Sequence, residues 1–506
     1  MTNSEKMNSS TILFNEPGLE FRHGQVVKDP RDGLSLFGPV DVGTPSQPRA
    51  IKYAVIGTDI GVGKFSLFAR DLSFPSIEAP NNNHRLWVPF PGFEAAFECE
   101  FSPEPVWSGS VDPEELHQAS LQKDEHERSY SAVNLYLNEF EKIKKLDDRI
   151  DVAICVVPDE VWKNCRPESH FQNAIGSGIS RKEKELRRSG QTSLFEEYDI
   201  EQYKLSPDFR RQLKARAMGQ DIPIQIIQES TLKVSDDFKF GERRLTPLSD
   251  RKWNLGTALY YKSGGKPWKL VSAREGVCYI GIAFRHTDKN ADGSTACCAA
   301  QMFLNTGDGI VFLGEYGPWY SSRTKQFHLS EDKAFALLDG ILKTYRDLGG
   351  KELTEVFLHC RSEINDEEFA GYRRACPPNV NLYGVKVRPE RVGFKLFRNG
   401  RRPIIRGTFL KMTEKSGFLW ASGFKPRLAT YDGWETPIPL RIEIQHGDAP
   451  LERVAQDILG LTKLNYNACR LGESQPVTVG FSDAVGEILI SNPTVETRRP
   501  NFKYYI

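Results

Sequence analysis

The chain has 506 residues, 39% of them hydrophobic, with 67 basic and 67 acidic side chains and a formal net charge of zero. That length allows two or three domains with sizeable cores, and the balanced charge means that any nucleic-acid surface is a local patch rather than a basic whole. Nine cysteines, an odd number without a C-x-x-C pair, point to reduced thiols and a cytoplasmic home. The polar first twelve residues hold no signal core, and no stretch reaches the ~18 apolar residues of a membrane helix.

Residues 1–12 read as a loose leader. Residues 13–48, with Phe21, D-P-R-D-G at 29–33 and F-G-P at 37–39, read as turn-rich extended pieces packed across the body. A buried strand is expected over 50–56. The following G-T-D-I-G-V-G-K-F (57–65) approaches a P-loop, but Thr58 stands where the first glycine belongs and Phe65 where Ser or Thr should follow the lysine. A glycine-bearing strand-to-helix turn is the reading. Val133, Leu135, Tyr136, Phe140 and Ile143 have helical spacing and predict a helix over 129–145; I-D-V-A-I-C-V-V-P at 150–158 is a second buried strand. Strand, helix, strand is the grammar of a doubly wound parallel sheet.

The polar stretch 166–205, with its charge run at 181–188, reads as a solvated insertion. A short helix then starts with Ser206 as cap and Pro207 at its first position and stops at Gly219. It carries Arg210, Arg211, Lys214 and Arg216, of which Arg210 and Lys214 share a face. Like charges so placed repel by roughly a few tenths of a kcal/mol, a penalty that an anion against the face would remove; a merely solvated basic face is the competing reading. In the strand expected over 222–229, Gln225 and Gln228 stand among apolar residues, and such amides need partners.

The stretch 253–285 joins the two halves. An apolar run over 255–261 reaches Lys262, a turn follows at S-G-G (263–265), Lys266 and Trp268 come next, and a β-rich run over 277–284 opens a new sheet. The lysines here are read as holding the phosphate of a nucleic-acid end. Strands over 295–304 and 309–316, a helix over 331–348 between Ser330 and Gly349, a strand over 355–359, a helix over 366–375 and a strand over 381–387 complete a ribonuclease H-like layout. Such domains cleave with two metals held by carboxylates on the first strand and at the end of the strand after the long helix. Here the first strand reads G-I-A-F (281–284) and the later one ends H-C-R-S (359–362), without an acid in either. Metals and an attacking water are then not held; displaced carboxylates at Asp288, Glu315, Glu363 or Asp483 are the alternative.

Residues 386–407 hold Lys386, Arg388, Arg391, Lys395, Arg398, Arg401, Arg402 and Arg406 against one acid, Glu390, with Phe394 and Phe397 interleaved. This patch suits a phosphate backbone; an exposed basic hairpin is the bland alternative. A helix is expected over 451–464, a strand and then a helix over 476–490, and a docked tail ending F-K-Y-Y-I.

Several phrases, in one order, carry a resemblance: V-V-P-D-E-V-W-K-N-C-R-P-E-S (156–169), F-R-R-Q-L-K-A-R (209–216), I-P-I-Q-I-I-Q-E-S-T-L (222–232), Y-Y-K-S-G-G-K-P-W-K-L (260–270), C-C-A-A-Q-M-F-L (297–304), G-E-Y-G-P-W-Y (314–320) and L-T-K-L-N-Y-N-A-C (461–469). With them the chain resembles the short prokaryotic Argonautes, which have only MID and PIWI domains. The resemblance implies an α/β protein: a lead-in segment (1–48), a Rossmann-like MID domain (49–250) and a catalytically degenerate ribonuclease H-like PIWI domain (251–506). It implies a pocket for the 5′ phosphate of a guide RNA at Arg210, Lys214, Gln225 and Lys262, with Arg210 standing where the family usually has an aromatic or histidine. It implies a magnesium ion held by Gln225 and the C-terminal carboxylate of Ile506, and backbone contacts from Lys266, Arg388, Arg391, Lys395, Arg398, Arg401 and Arg402. The positions of the acidic tetrad are Ala283, Ser362 and Asp483, so two carboxylates are missing and the chain is expected to be no enzyme itself. The implied partners are single-stranded target DNA and an APAZ-domain protein bearing a TIR, sirtuin-like or nuclease effector. Such heterodimers defend a cell against plasmid or phage DNA, by NAD depletion where the effector consumes NAD, and can oligomerise on activation.

Overall fold

The computed structural model describes residues 10–167, 169–171, 173–176, 178–188, 200–237, 244–286, 296–303, 309–317, 319–321, 326–347, 350–431, 433, 435–492 and 499–506. The smaller of two main sheets runs in the order Trp107–Ser110, Tyr53–Gly57, Val152–Val157, Ile224–Gln228, with every pairing parallel. Its central strands are buried at every position, as parallel strands covered on both faces must be. The pleat divides them: Tyr53 and Val55 pack with Phe65 and Phe68 of the helix Asp59–Leu72, while Ala54 and Ile56 pack with Val133, Tyr136 and Phe140 of the helix Glu125–Ile143.

The larger sheet has nine strands among the described residues, in the order Ser10–Leu13, Thr408–Lys411, Ser416–Trp420, Leu440–His446, Asn381–Pro389, Glu355–Cys360, Val277–His286, Ala296–Phe303, Gly309–Gly317. Only Glu355–Cys360 pairs in parallel, with both its neighbours. The helices Glu331–Asp347 and Asp366–Ala375 cover one face, on Cys278, Ile280, Val356 and Leu358. The helices Leu451–Leu461 and Val477–Ile490 cover the other, on Tyr279, Phe357, Val385 and Val387. The second of these lies so close that a Cβ on Gly281 would meet the Thr478 carbonyl oxygen at 1.9 Å, so the strand must carry glycine there. The α/β fold class expected from the residues is therefore present, with a parallel sheet followed by a mixed one. The helix Leu248–Lys262 runs continuously through position 250, where the two expected halves meet. None of the described helices is long and apolar enough to cross a membrane.

Several local expectations are corrected. D-P-R-D-G at 29–33 is no turn but the start of the helix Pro30–Phe37, with Asp29 as cap and proline at the first position, the one place in a helix where proline loses nothing. The cap of the basic helix is Asp208, not Ser206: its carboxylate accepts from Arg211 N at 2.9 Å and the helix runs Phe209–Ala217. Residues 477–490 form one helix without a preceding strand. The polar insertion is not wholly solvated, because Arg187 and Tyr203 are buried against each other, 2.9 Å apart, in the helices Arg181–Arg188 and Ile200–Lys204.

The lead-in is built into both sheets' surroundings. Ser10–Leu13 extends the large sheet, and Leu19–Glu20 pairs with Lys269–Leu270 just beyond the joining helix. Glu16 anchors it: its two oxygens take Arg406 Nε and Lys463 Nζ, each at 2.9 Å, and both cations are buried.

Candidate functional site

Four elements meet beside the edge strand Ile224–Gln228. The capped helix Phe209–Ala217 delivers Lys214, the last residue of Leu248–Lys262 delivers Lys262, the strand itself delivers Gln225, and the chain's last residues close the pocket. Lys214 Nζ donates to the main-chain oxygens of Tyr505, at 3.3 Å, and Ile506. Lys262 Nζ donates to Gln225 Oε1 at 2.6 Å and Ile224 O at 3.0 Å. Both lysines are 1–2% exposed, and neither has an acidic side chain as partner among the described residues. Burial, reinforced by Lys262 and Arg210, pushes the Lys214 ammonium well below its ordinary range; burial, reinforced by Arg210, brings Lys262 down to about 7. Burial penalises the charged form of both lysines, and an anion placed beside them would favour it.

The tail is docked as expected. Tyr504 Oη donates to Asp221 Oδ1 at 2.8 Å, Val311 N donates to Pro500 O at 2.7 Å, and Phe502 meets Phe481 edge-on. The turn after Lys262 needs its glycines: Gly264 sits at φ +106°, and a Cβ on Gly265 would meet the Tyr260 ring at 2.4 Å. Lys266 lies beyond this turn, its main-chain N–H on Asp41 Oδ2 at 2.8 Å. Arg210 stands exposed at the rim, lining a cleft of about 300 Å³ with Trp162, Arg166, Arg211 and Glu487. Arg166 lies 5.0 Å over the Trp162 ring there, and its only sequence signal was the C-R-P phrase.

Sequence reading missed a second feature. A polar cavity of about 550 Å³ is lined by Asn254, Asn465, Asn467, Arg470, Gln475 and Phe481. A neighbouring cavity of about 430 Å³ shares Ser474 and Gln475 with it and reaches Arg391. Asn254 of the first cavity lies two turns back from Lys262 on the same helix, and Arg391 of the second belongs to the basic segment. Asn467 Oδ1 of the first cavity is buried without a hydrogen-bond partner. The N-Y-N phrase at 465–467 was the available signal, but nothing in it said that the fold would bring Asn254 alongside.

At the large sheet, the register sets His359 beside Gly281 and Cys360 beside Ile282, so Ala283 and Ser362 lie just past the last parallel pair of these neighbouring strands, Ala283 three residues before its strand ends at His286. Ala283 is buried and Ser362 Oγ lies 2.9 Å from Cys360 Sγ. His359 is fully buried, which holds its ring down to about 3 and hence neutral, with Nδ1 2.9 Å from Thr478 Oγ1. Glu363 is half-exposed, 3.9 Å from Lys386 Nζ. Asp288 and the side chains of Glu315 and Asp483 lie outside the described residues. Among the described residues, no three His, Cys, Asp or Glu side chains are grouped to hold a metal.

The basic segment is neither strand nor helix over residues 390–404, so the hairpin alternative is set aside. Arg388 lies 3.9 Å from Glu390, whereas Arg391, Lys395, Arg398, Arg401 and Arg402 have no acidic partner among the described residues. Arg406 is not part of this surface; it is buried on Glu16 and the Ala421 and Glu473 carbonyls. The P-loop-like turn is likewise committed elsewhere. Thr58 Oγ1 caps the helix on Gly61 N at 3.1 Å, and Lys64 pairs with Glu229 at 2.8 Å.

The sequence is 23% identical over 283 residues to the Argonaute of Aquifex aeolicus, a match covering 55% of this chain and 35% of that protein. The fold is shared with Clostridium butyricum Argonaute in its structure with a guide DNA and a 19-mer target DNA, at a TM-score of 0.64 and 15% identity. The chain is Argonaute-like. That alignment covers all of this chain and 56% of the Clostridium protein; for A. aeolicus Argonaute with externally bound siRNA the TM-score is 0.56 at 16% identity, over 97% of this chain and 55% of that one. This Argonaute-like chain thus spans a little over half the length of its solved relatives and about a third of its curated one. No protein-family model matches it.

Proposed function

We propose that this chain grips the 5′ phosphate of a guide strand between Lys214 and Lys262, leads the strand along the two cavities toward Arg391, and displays it for pairing with a target that it does not itself cut. One observation carries the reading: two buried lysines meet in one pocket, and neither has an acidic side chain as partner among the described residues. A phosphate monoester brings nearly two negative charges at neutral pH and relieves that imbalance through charge-assisted hydrogen bonds. The relatives' complexes with guide and target DNA or with siRNA support the class of ligand.

Gln225 Oε1 and the Ile506 main-chain oxygen are hard donors of the kind magnesium takes, and both already face cations in this pocket. They fit a magnesium ion that enters with the phosphate and neutralises part of its charge. The chain's own groups do the rest: Lys214 and Lys262 orient the phosphate, and burial excludes water from it. In this reading residues 49–250 act as a MID part, 251–506 as a PIWI part, and 1–48 as the segment that ties them.

Alanine at 283 and serine at 362 leave both positions without the acids that metal-assisted hydrolysis needs, so activity belongs to a partner. By resemblance to the short Argonautes, that partner is an APAZ-domain protein with a TIR, sirtuin-like or nuclease effector, the guide is RNA, and the target is invading single-stranded DNA. The test is purification from cells together with the neighbouring gene product, followed by sequencing of the bound nucleic acid. Short RNAs with 5′ phosphates and a co-purifying effector are expected. Bound material of random length whose ends are 5′ hydroxyls would sink the proposal.

A further inference from the structure

Between Arg391 and Arg402 the chain has no regular structure, yet its side chains alternate. Phe394 and Leu396 turn inward: Phe394 stacks on Phe418 at 4.5 Å, and both join a small cluster around Trp420. Lys395 and Phe397 turn outward, and Phe397 is 73% exposed with Val392 at 82%. The segment is therefore pinned, and what it displays is fixed by the pinning. Burying an aromatic side chain is worth about 1.5–3 kcal/mol, so a phenylalanine held in water beside a half-buried one is a cost unless a ligand covers it.

The arginines add a second, independent feature. Arg398 and Arg402 both lie 5.4 Å from the centroid of the single Phe424 ring, and Arg398 Nε donates to Arg402 O at 3.1 Å. Neither guanidinium has an acidic side chain as partner among the described residues. A guanidinium without an acid matches the oxygens of a phosphate.

We propose that residues 391–402 clamp an unpaired nucleic-acid strand, with backbone phosphates on Arg398 and Arg402 and a base stacked on Phe397. A duplex hides its base faces, so the exposed ring selects a single strand; stacking on an aromatic is tolerant of sequence. The clamp deepens the nucleic-acid reading above and rests on it. The cavity of about 430 Å³ reaches Arg391, so the strand met here is the one leaving the pocket or the one arriving to pair with it.

The test uses the full chain loaded with a 5′-phosphorylated guide, and labelled RNA and DNA oligonucleotides, single-stranded or blunt duplex, as probes. Phe397→Ala should weaken single-strand binding about five- to 150-fold, leave blunt duplex binding unchanged and leave the melting temperature unchanged. Phe397→Trp should restore it. Arg398→Gln with Arg402→Gln should also weaken binding and lower the slope of log affinity against log salt by about 1.4, the value for two phosphate contacts on a single strand. Whichever of RNA or DNA loses more identifies the strand. Parental affinity in both variants, an equal loss for duplex, or a loss confined to an acidic polypeptide probe such as polyglutamate would overturn the clamp. If guides with 5′ phosphate and 5′ hydroxyl are still told apart while Phe397 changes nothing, the clamp alone fails. If no oligonucleotide binds the parent chain, the reading beneath it fails.

Discussion

In the proposed pocket Lys214 and Lys262 carry the chemistry, because both are buried and neither has an acidic side chain as partner among the described residues. Replacing either by alanine removes a charge-assisted contact worth roughly 1.5–3 kcal/mol. Lys214→Ala or Lys262→Ala should weaken guides carrying a 5′ phosphate about ten- to 150-fold while barely changing those with a 5′ hydroxyl; equal losses for the two would place the phosphate elsewhere. The pH dependence has a definite sign. Burial, reinforced by the charge of Arg210 on the rim helix, brings Lys262 down to about 7, and phosphate needs its proton. The preference for 5′ phosphate over 5′ hydroxyl should therefore fall as pH rises above 7, by up to about tenfold per unit, when binding is followed between pH 7 and 9. Stability of the ligand-free chain moves the other way. The folded lysine lies below its ordinary 10.5, so between 7 and 10.5 the unfolded chain holds more protons and the folded one gains stability as pH rises.

Among the elements, the lead-in shows how one carboxylate can bind a segment to a body far away in sequence. Burial alone would raise the Glu16 carboxyl, but the adjacent charges of Arg406 and Lys463 win and hold it at about 2. Its contribution is complete above the ordinary carboxylate value of 4.5 and is lost as pH falls toward 2. Glu16→Gln leaves two buried cations without their counter-charge and should cost about 3–5 kcal/mol. Urea denaturation at pH 7 reads that loss, and the gap between parent and variant should narrow at pH 3. The strand–helix contact at Gly281 sets a second limit. Gly281→Ala forces its methyl onto the Thr478 carbonyl and should lower stability by about 1–3 kcal/mol, seen as a lower melting temperature; an unchanged melting temperature would mean that the helix yields easily.

For the whole molecule, the chain spans a little over half the length of its solved relatives, and alanine at 283 and serine at 362 stand where its sheet would need acids to cut. Supplied with a matched guide, a target and magnesium or manganese, the purified chain should give no cleavage product, and Glu363→Ala should change nothing. Target cut by the chain alone, and no longer cut by the Glu363 variant, would restore the nuclease reading. Adding target to the complex purified with its partner should instead switch on the partner's reaction.

The residues alone were enough for the α/β class and for most strands and helices of both halves, and the resemblance they carry named Lys214, Gln225 and Lys262, which the fold brings to one place. Buried parallel strands write themselves as unbroken apolar runs, and a helix such as Asp366–Ala375 carries its capping box in its own letters. What failed locally, the cap at Asp208 and the helix opened by Asp29 and Pro30, failed because Ser, Asp and Pro serve turns and helix starts alike. Only the tertiary structure could withdraw Arg406 into a buried pair with Glu16, lay Asn254 beside Asn467 in one cavity, and turn Phe397 out while turning Phe394 in. Those outcomes depend on which distant surfaces meet, and a side chain's charge or ring does not reveal whether it will face water, a core or a ligand until its neighbours are in place.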